Sequence, residues 1–266
     1  IDGDTADGKA SAITGTGEDN EDVTAALASE GADGAAALKP IDHAADEAKR
    51  KADLEAAEFL YARAMELQGQ GWYRKAHPLI QECLIVRERH LPDEDLTTST
   101  MTSLARSHML LNEWTTAEEI ILPCMKLAER ICKIESVPFA EALLVKSENL
   151  HLSGRVSEAV KSLNKSTKLM TKILERNPAA NALLGRSVCL QAQANLRMGK
   201  IPESKAMADR GAAILSKAYG INHIAVIDAL HVKCEIQVRT SKFKEAVAQV
   251  EQAYVVRRRL LGETHP

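Results

Sequence analysis

The strongest constraint on how this chain can fold is a concealed period. Tyr73, Trp114, Val156, Ile201 and Phe243 each stand three residues before a small residue: Ala76, Ala117, Ala159, Ser204 and Ala246. The small residues are spaced 41, 42, 45 and 42 apart. Other offsets hold the same frame. Twelve residues before each small residue lie Ala64, Ala105, Ser147, Ala192 and Cys234, and seven after lie Cys83, Cys124, Ser166, Gly211 and Ala253, all small. Sixteen before lie Leu60, Met101, Leu143, Val188 and Leu230, and four after lie Ile80, Ile121, Leu163, Ala208 and Val250, all apolar. From Ile41 onward the apolar spacing is three and four residues, broken by short Gly, Asn or Pro punctuation, so each period reads as two amphipathic helices joined by a turn. Small residues mark close helix crossings and apolar ones the knobs between them. One such hairpin cannot bury its own apolar surface, so the hairpins must stack into an all-α solenoid.

Composition agrees with helices. Nine aromatic residues among 266 are few for a large sandwich or barrel, which rely on aromatic and β-branched strands. The net charge of -3 gives no reason to expect nucleic acid or an anionic membrane as partner. That charge is unevenly placed: residues 1–40 hold nine acidic residues against Lys9 and Lys39, a net of -7 that leaves +4 for 41–266. With six glycines and no aromatic residue, 1–40 offers too little apolar surface to offset backbone ordering and reads as a disordered acidic Ala/Gly-rich arm, with Glu21–Ser29 as a candidate transient helix. The repeats fall roughly at 56–96, 97–137, 138–179, 180–223 and 224–266, after a lead-in helix from about 43. Pro78, Pro123 and Pro202 are expected in the first turns of second helices, where a missing N–H costs little. The last hairpin reaches Pro266 with no polar cap after it, which leads to the expectation that more protein or a partner chain follows.

The turn aromatics and small crossing residues resemble the tetratricopeptide repeat family. The repeats of 41–45 residues and the ending Leu261-Gly262-Glu263-Thr264-His265-Pro266 are similar to the long, kinesin-light-chain type, although Thr102/Ser103, Leu144/Val145, Cys189/Leu190 and His231/Val232 stand where that type carries paired asparagines. The resemblance implies a right-handed superhelix of about five hairpins whose first helices line a concave groove. On that geometry the partner-facing residues are Tyr61, Met65, Arg106, Met109, Glu148, His151, Arg186, Gln193, Arg197, Glu235 and Arg239, although for any one of them a solvated or inter-helix packing side chain is the more common case. The Lys/Asn set with which some relatives clamp the carboxylate end of chaperone tails is unmatched, since Tyr61, Met65 and Ser103 stand there.

Little in the chain suggests catalysis. Gly15-Thr16-Gly17 has no preceding strand and no following Lys, so it is no phosphate loop. The eight histidines lack metal-binding spacing, and His77 and His108 fall on or near helix contacts. Cys83, Cys124, Cys132, Cys189 and Cys234 form no CxxC pair and read as core residues of a reducing compartment. Asn164-Lys165-Ser166 matches a glycan acceptor, yet Ser166 is a crossing residue. No signal peptide and no run of eighteen apolar residues is found, which points to a cytoplasmic protein; the start at Ile1 leaves a removed organelle-targeting peptide open.

The expected function is therefore a non-enzymatic scaffold or adaptor, without cofactor or metal, that holds a peptide or the subunits of a complex. Two alternatives stay open: a regulatory or substrate-docking domain of a larger enzyme, and cargo binding in microtubule transport. Arg257-Arg258-Arg259 with Lys242 and Lys244 forms a basic cluster that the acidic arm could cover in competition with ligands. Deleting 1–40 should then raise partner affinity at low salt in a titration; unchanged affinity would refute the competition.

Overall fold

A computed structural model describes residues 43–262 except 179, so the arm of 1–40, with its glycines and candidate helix, lies outside the described residues. The chain falls into two compact units, Ile1–Ala44 and Ala45–Pro266; of the first only residues 43 and 44 are described, in a helical turn. The second consists of helices. In chain order they are α1 (His43–Gly69), α2 (Tyr73–His90), α3 (Asp95–Leu110), α4 (Trp114–Cys132), α5 (Val137–Leu152), α6 (Val156–Leu174), α7 (Ala180–Arg197), α8 (Ile201–Tyr219), α9 (Ile224–Arg239) and α10 (Phe243–Leu261). No strand occurs among the described residues.

Each hairpin turns in the same way. The residue five before the recurring small residue takes a left-handed backbone: Gly71, Asn112, Gly154, Gly199 and Ser241 have φ between 58° and 84°. In four of the turns the next amide reaches back five residues, from Trp72 to Leu67 O, Glu113 to His108 O, Lys200 to Asn195 O and Lys242 to Gln237 O, at 2.8–2.9 Å. These bonds satisfy carbonyls that a helix C-terminus would otherwise leave open. The start of α5 is fixed by Ser136, whose side chain accepts from the Phe139 amide at 3.4 Å, with Pro138 in the first turn where it needs no N–H.

Small residues then let the two helices of a hairpin touch. Ala76, Ala117, Ala159 and Ser204 are fully buried, as are Ala64, Ala105, Ser147 and Ala192 opposite them. At Gly211 the approach is closest: an added Cβ would press on Cys189 Sγ and lie 3.1 Å from the Cys189 backbone nitrogen. Successive hairpins pack second helix to first helix, α2 on α3, α4 on α5, α6 on α7 and α8 on α9, while the first helices α3, α5, α7 and α9 also touch one another. The first helices thus form one continuous rank.

Two expectations need correction. No lead-in helix separates from the first repeat, because no glycine or proline interrupts 43–68 and α1 runs unbroken to Gly69. Pro202 does sit at the start of α8, but Pro78 lies a turn inside α2 and Pro123 stands in the middle of α4. There it leaves the Glu119 carbonyl without its amide donor, a defect that packing against the neighbouring helices must offset.

The frame also shows what stacking covers. Ile80, Ile121, Leu163 and Ala208 are buried to within 1% of full burial, whereas Val250, in the same position of α10, is 47% exposed, and Val247 and Tyr254 beside it are exposed too. The outer face of α10 is therefore built like an internal stacking face. Ile121→Ala should lower stability by about 2–5 kcal/mol in urea unfolding, while Val250→Ala should change it by about 0.5 kcal/mol or less; equal losses would contradict the stacking register.

Candidate functional site

The rank of first helices encloses a hollow of about 380 Å³. Arg106 and Met109 of α3, Glu148 and His151 of α5, and Arg186 and Gln193 of α7 line it together. Its apolar wall includes Leu110, Leu152, Leu190 and Val232.

A line of alternating charge crosses the hollow. Arg106 donates through Nη1 to Glu141 Oε1 at 2.9 Å and through Nε to Glu148 Oε2 at 3.2 Å, and Arg186 Nη2 donates to Glu148 Oε1 at 3.0 Å. Burial pushes the Glu148 carboxyl up, but Arg106 and then Arg186 outweigh it and hold the group below its ordinary range, fully ionised. For Arg106, burial opposes the charge and the carboxylates of Glu148 and Glu141 more than restore it. The line ties α3, α5 and α7 into one floor. It leaves one guanidinium nitrogen, Arg106 Nη2, buried and without a partner.

His151 is the second unsatisfied group. It is buried, its Nδ1 has no hydrogen-bond partner, and its backbone carbonyl accepts from Arg197 Nη1 at 2.8 Å. Burial, aided by the Arg197 charge, pushes its pKa down to about 4, so the ring is neutral at physiological pH. Buried polar atoms without partners are uncommon in folded proteins. Here two of them, on Arg106 and His151, belong to residues that line the same hollow.

The remaining expected groove residues sit elsewhere. Tyr61 shares a hydrogen bond of 2.8 Å with Ser103 Oγ, and the Arg87 guanidinium lies 4.7 Å over its ring, so it packs between hairpins. Met65 is packed against the core of Ala64, Ile80 and Met101. Glu235 and Arg239 pair with each other at 3.4 Å on α9. Glu141 and Asp228 were missed, although a signal existed: both stand eighteen residues before the recurring small residue, as Arg186 does. Asp228 lines the hollow and accepts from Arg257 at 2.9 Å, which draws part of the expected basic cluster into an ion pair.

Other candidates carry packing roles. His77 and His108 meet edge to face at 4.4 Å, with His108 Nδ1 2.6 Å from Glu113 and His77 Nδ1 3.1 Å from Ser107 Oγ. Burial raises the Cys124 and Cys189 thiols to about 12, which leaves them protonated and unreactive. Ser166 is fully buried. Among the described residues no cluster of His, Cys, Asp and Glu could hold a metal, and no helix is long and apolar enough to cross a membrane.

The molecule is thus an α-solenoid of stacked helical hairpins with a charged hollow along its first helices. Its fold is that of the tetratricopeptide repeat, and residues 239–266 match a family model described by that name. Among solved structures it is similar to the nearly identical TPR-like repeats of a Podosopora anserina protein described as a kinesin light chain, at 18% identity over 76% of this chain and 95% of that one, with a TM-score of 0.51. It is also similar to BtubC (BKLC) from P. vanneervenii, at 16% identity over 82% of this chain and 92% of that one (TM-score 0.54). A Rap protein solved in complex with Competence and Sporulation Factor superposes with a TM-score of 0.66 at 13% identity, over 77% of this chain and 55% of that one. No curated protein sequence matches the chain.

The neutral His151 links the hollow to stability. Its pKa is lowered on folding, so its contribution is complete above the ordinary value of 6.5 and is lost as pH falls from there to about 4. His151→Asn should flatten the fall in urea midpoint between pH 7 and pH 4 by the equivalent of roughly 2–4 kcal/mol; an unaltered slope would show that His151 stays solvated.

Proposed function

We propose that this chain is a non-enzymatic scaffold that holds a segment of a partner protein along the hollow of its first helices, with 41–266 acting as one repeat domain. The observation that carries this reading is the hollow itself. It combines an apolar wall with a floor of ion pairs, and two of its lining residues, Arg106 and His151, each carry a buried polar atom that no protein group satisfies. An extended peptide would set apolar side chains against Leu110, Leu152 and Leu190 and its backbone carbonyls and amides along the charge line. The charge line favours a segment of mixed polarity over a purely acidic tail, because Glu148 already occupies both arginines.

The same fold in the Rap protein complexed with Competence and Sporulation Factor supports a binding role. Catalysis has no support in the geometry, since the buried thiols are protonated and the one buried carboxylate of the hollow is locked between arginines.

A photo-crosslinking residue in place of Gln193 tests the proposal after affinity capture of the full-length protein from its native source. Crosslinks between position 193 and a partner segment are expected, and Arg186→Ala should reduce their yield. A captured partner that crosslinks only through the second helices would overturn it.

A further inference from the structure

A second groove lies on the other side of the third hairpin. It opens between α4 and α6 over α5, holds about 660 Å³, and is floored by Phe139, Leu143 and Leu150 of α5 with Leu169 of α6 and Met125 of α4. Its wall carries Lys146, Lys161 and Lys165 against a single carboxylate, Glu158. That carboxylate is already held by Arg155, at 2.7 and 3.0 Å. The lysines face the groove with a net positive charge.

The repeat frame shows that this charge is particular to one hairpin. The three lysines stand thirteen before, two after and six after the recurring small residue Ala159. At the same three places the other hairpins carry at most one cation each: Arg63 in the first, none in the second, Arg210 in the fourth and Lys233 in the fifth. Neighbouring hairpins built on the same backbone therefore need no lysines there to fold. The exposed Lys168 extends the row along α6 at helical spacing, and Lys172 beyond it pairs with Glu135 at 3.4 Å.

We propose that this groove is a docking site for an acidic amphipathic peptide segment, one that places apolar side chains on the α5 floor and carboxylates against Lys146, Lys161 and Lys165. Charge complementarity selects the acidic partner, and the apolar floor selects a peptide. A nucleic-acid backbone has no aliphatic side chain to fill the space between Leu143, Leu150 and Leu169, and a lipid surface meets an exposed face more readily than a recess between helices. The site is separate from the hollow of the first helices, with which it shares no lining residue.

The probe is a fluorescein-labelled peptide, Glu-Glu-Leu-Ala-Glu-Leu-Leu-Glu-Glu, titrated into the 266-residue chain and followed by anisotropy. Binding should weaken about tenfold or more when Lys146, Lys161 and Lys165 are all changed to Gln, and about tenfold when the peptide leucines are replaced by serine. Rising salt should weaken it as well. The lysines are at the surface, so the triple variant should keep its helical circular dichroism and its melting temperature, and Arg186→Ala should bind the probe as the parent does. The proposal is overturned by absent binding, by equal binding of the triple variant or the serine peptide, by loss of binding in Arg186→Ala, or by phosphatidylserine vesicles or single-stranded DNA binding the lysines more tightly than the probe.

Discussion

Everything in this structure depends on how closely the two helices of each hairpin can cross. A side chain larger than Ala, Ser or Cys at the crossing would push the helix axes apart, and the apolar knobs on either side would lose their contacts with the next hairpin. The fully buried Ala76, Ala117, Ala159 and Ser204 keep that distance constant, and Gly211 against Cys189 marks its lower limit. Because the constraint repeats, so does the orientation of each hairpin on the last. The first helices then align as one rank without any contact dedicated to that purpose.

That alignment creates the hollow and explains its chemistry. Side chains on neighbouring first helices come within hydrogen-bonding reach, which permits a charge line such as Glu141–Arg106–Glu148–Arg186 to run across three hairpins. Such a line is costly to desolvate and is retained only where every charge has a partner. The ion pairs join the three first helices, and one nitrogen of Arg106 and the Nδ1 of His151 are left buried without a partner. On the proposed reading, a partner segment would meet a site that is already formed, which lowers the ordering cost of binding.

The fold was legible because the crossing constraint writes itself into sequence as small residues at a fixed period. The turns were legible for a related reason: a left-handed residue is needed at each, and Gly71, Gly154 and Gly199 supply it, although Asn112 and Ser241 hide the same conformation behind ordinary side chains. The site was harder to read. Arg106, Glu148 and Arg186 could be placed on the groove from their rows, but Met65, in the same row as Arg106 and Glu148, and Tyr61, one helical turn before it, are drawn into packing instead. A row gives direction and says nothing of which neighbour a long side chain will reach. Pro123 shows the same limit for backbone, since a mid-helix proline in α4 depends on tertiary packing that no local rule anticipates.

The most direct test of the central claim is a methyl NMR titration of the 266-residue chain with the segment of its captured partner. The account predicts that the methyl signals of Met109, Leu110, Leu152 and Leu190, which line the hollow, shift on binding, while those of the exposed Ile85, Leu122 and Val255 on second helices stay in place. Shifts confined to the second set would contradict it.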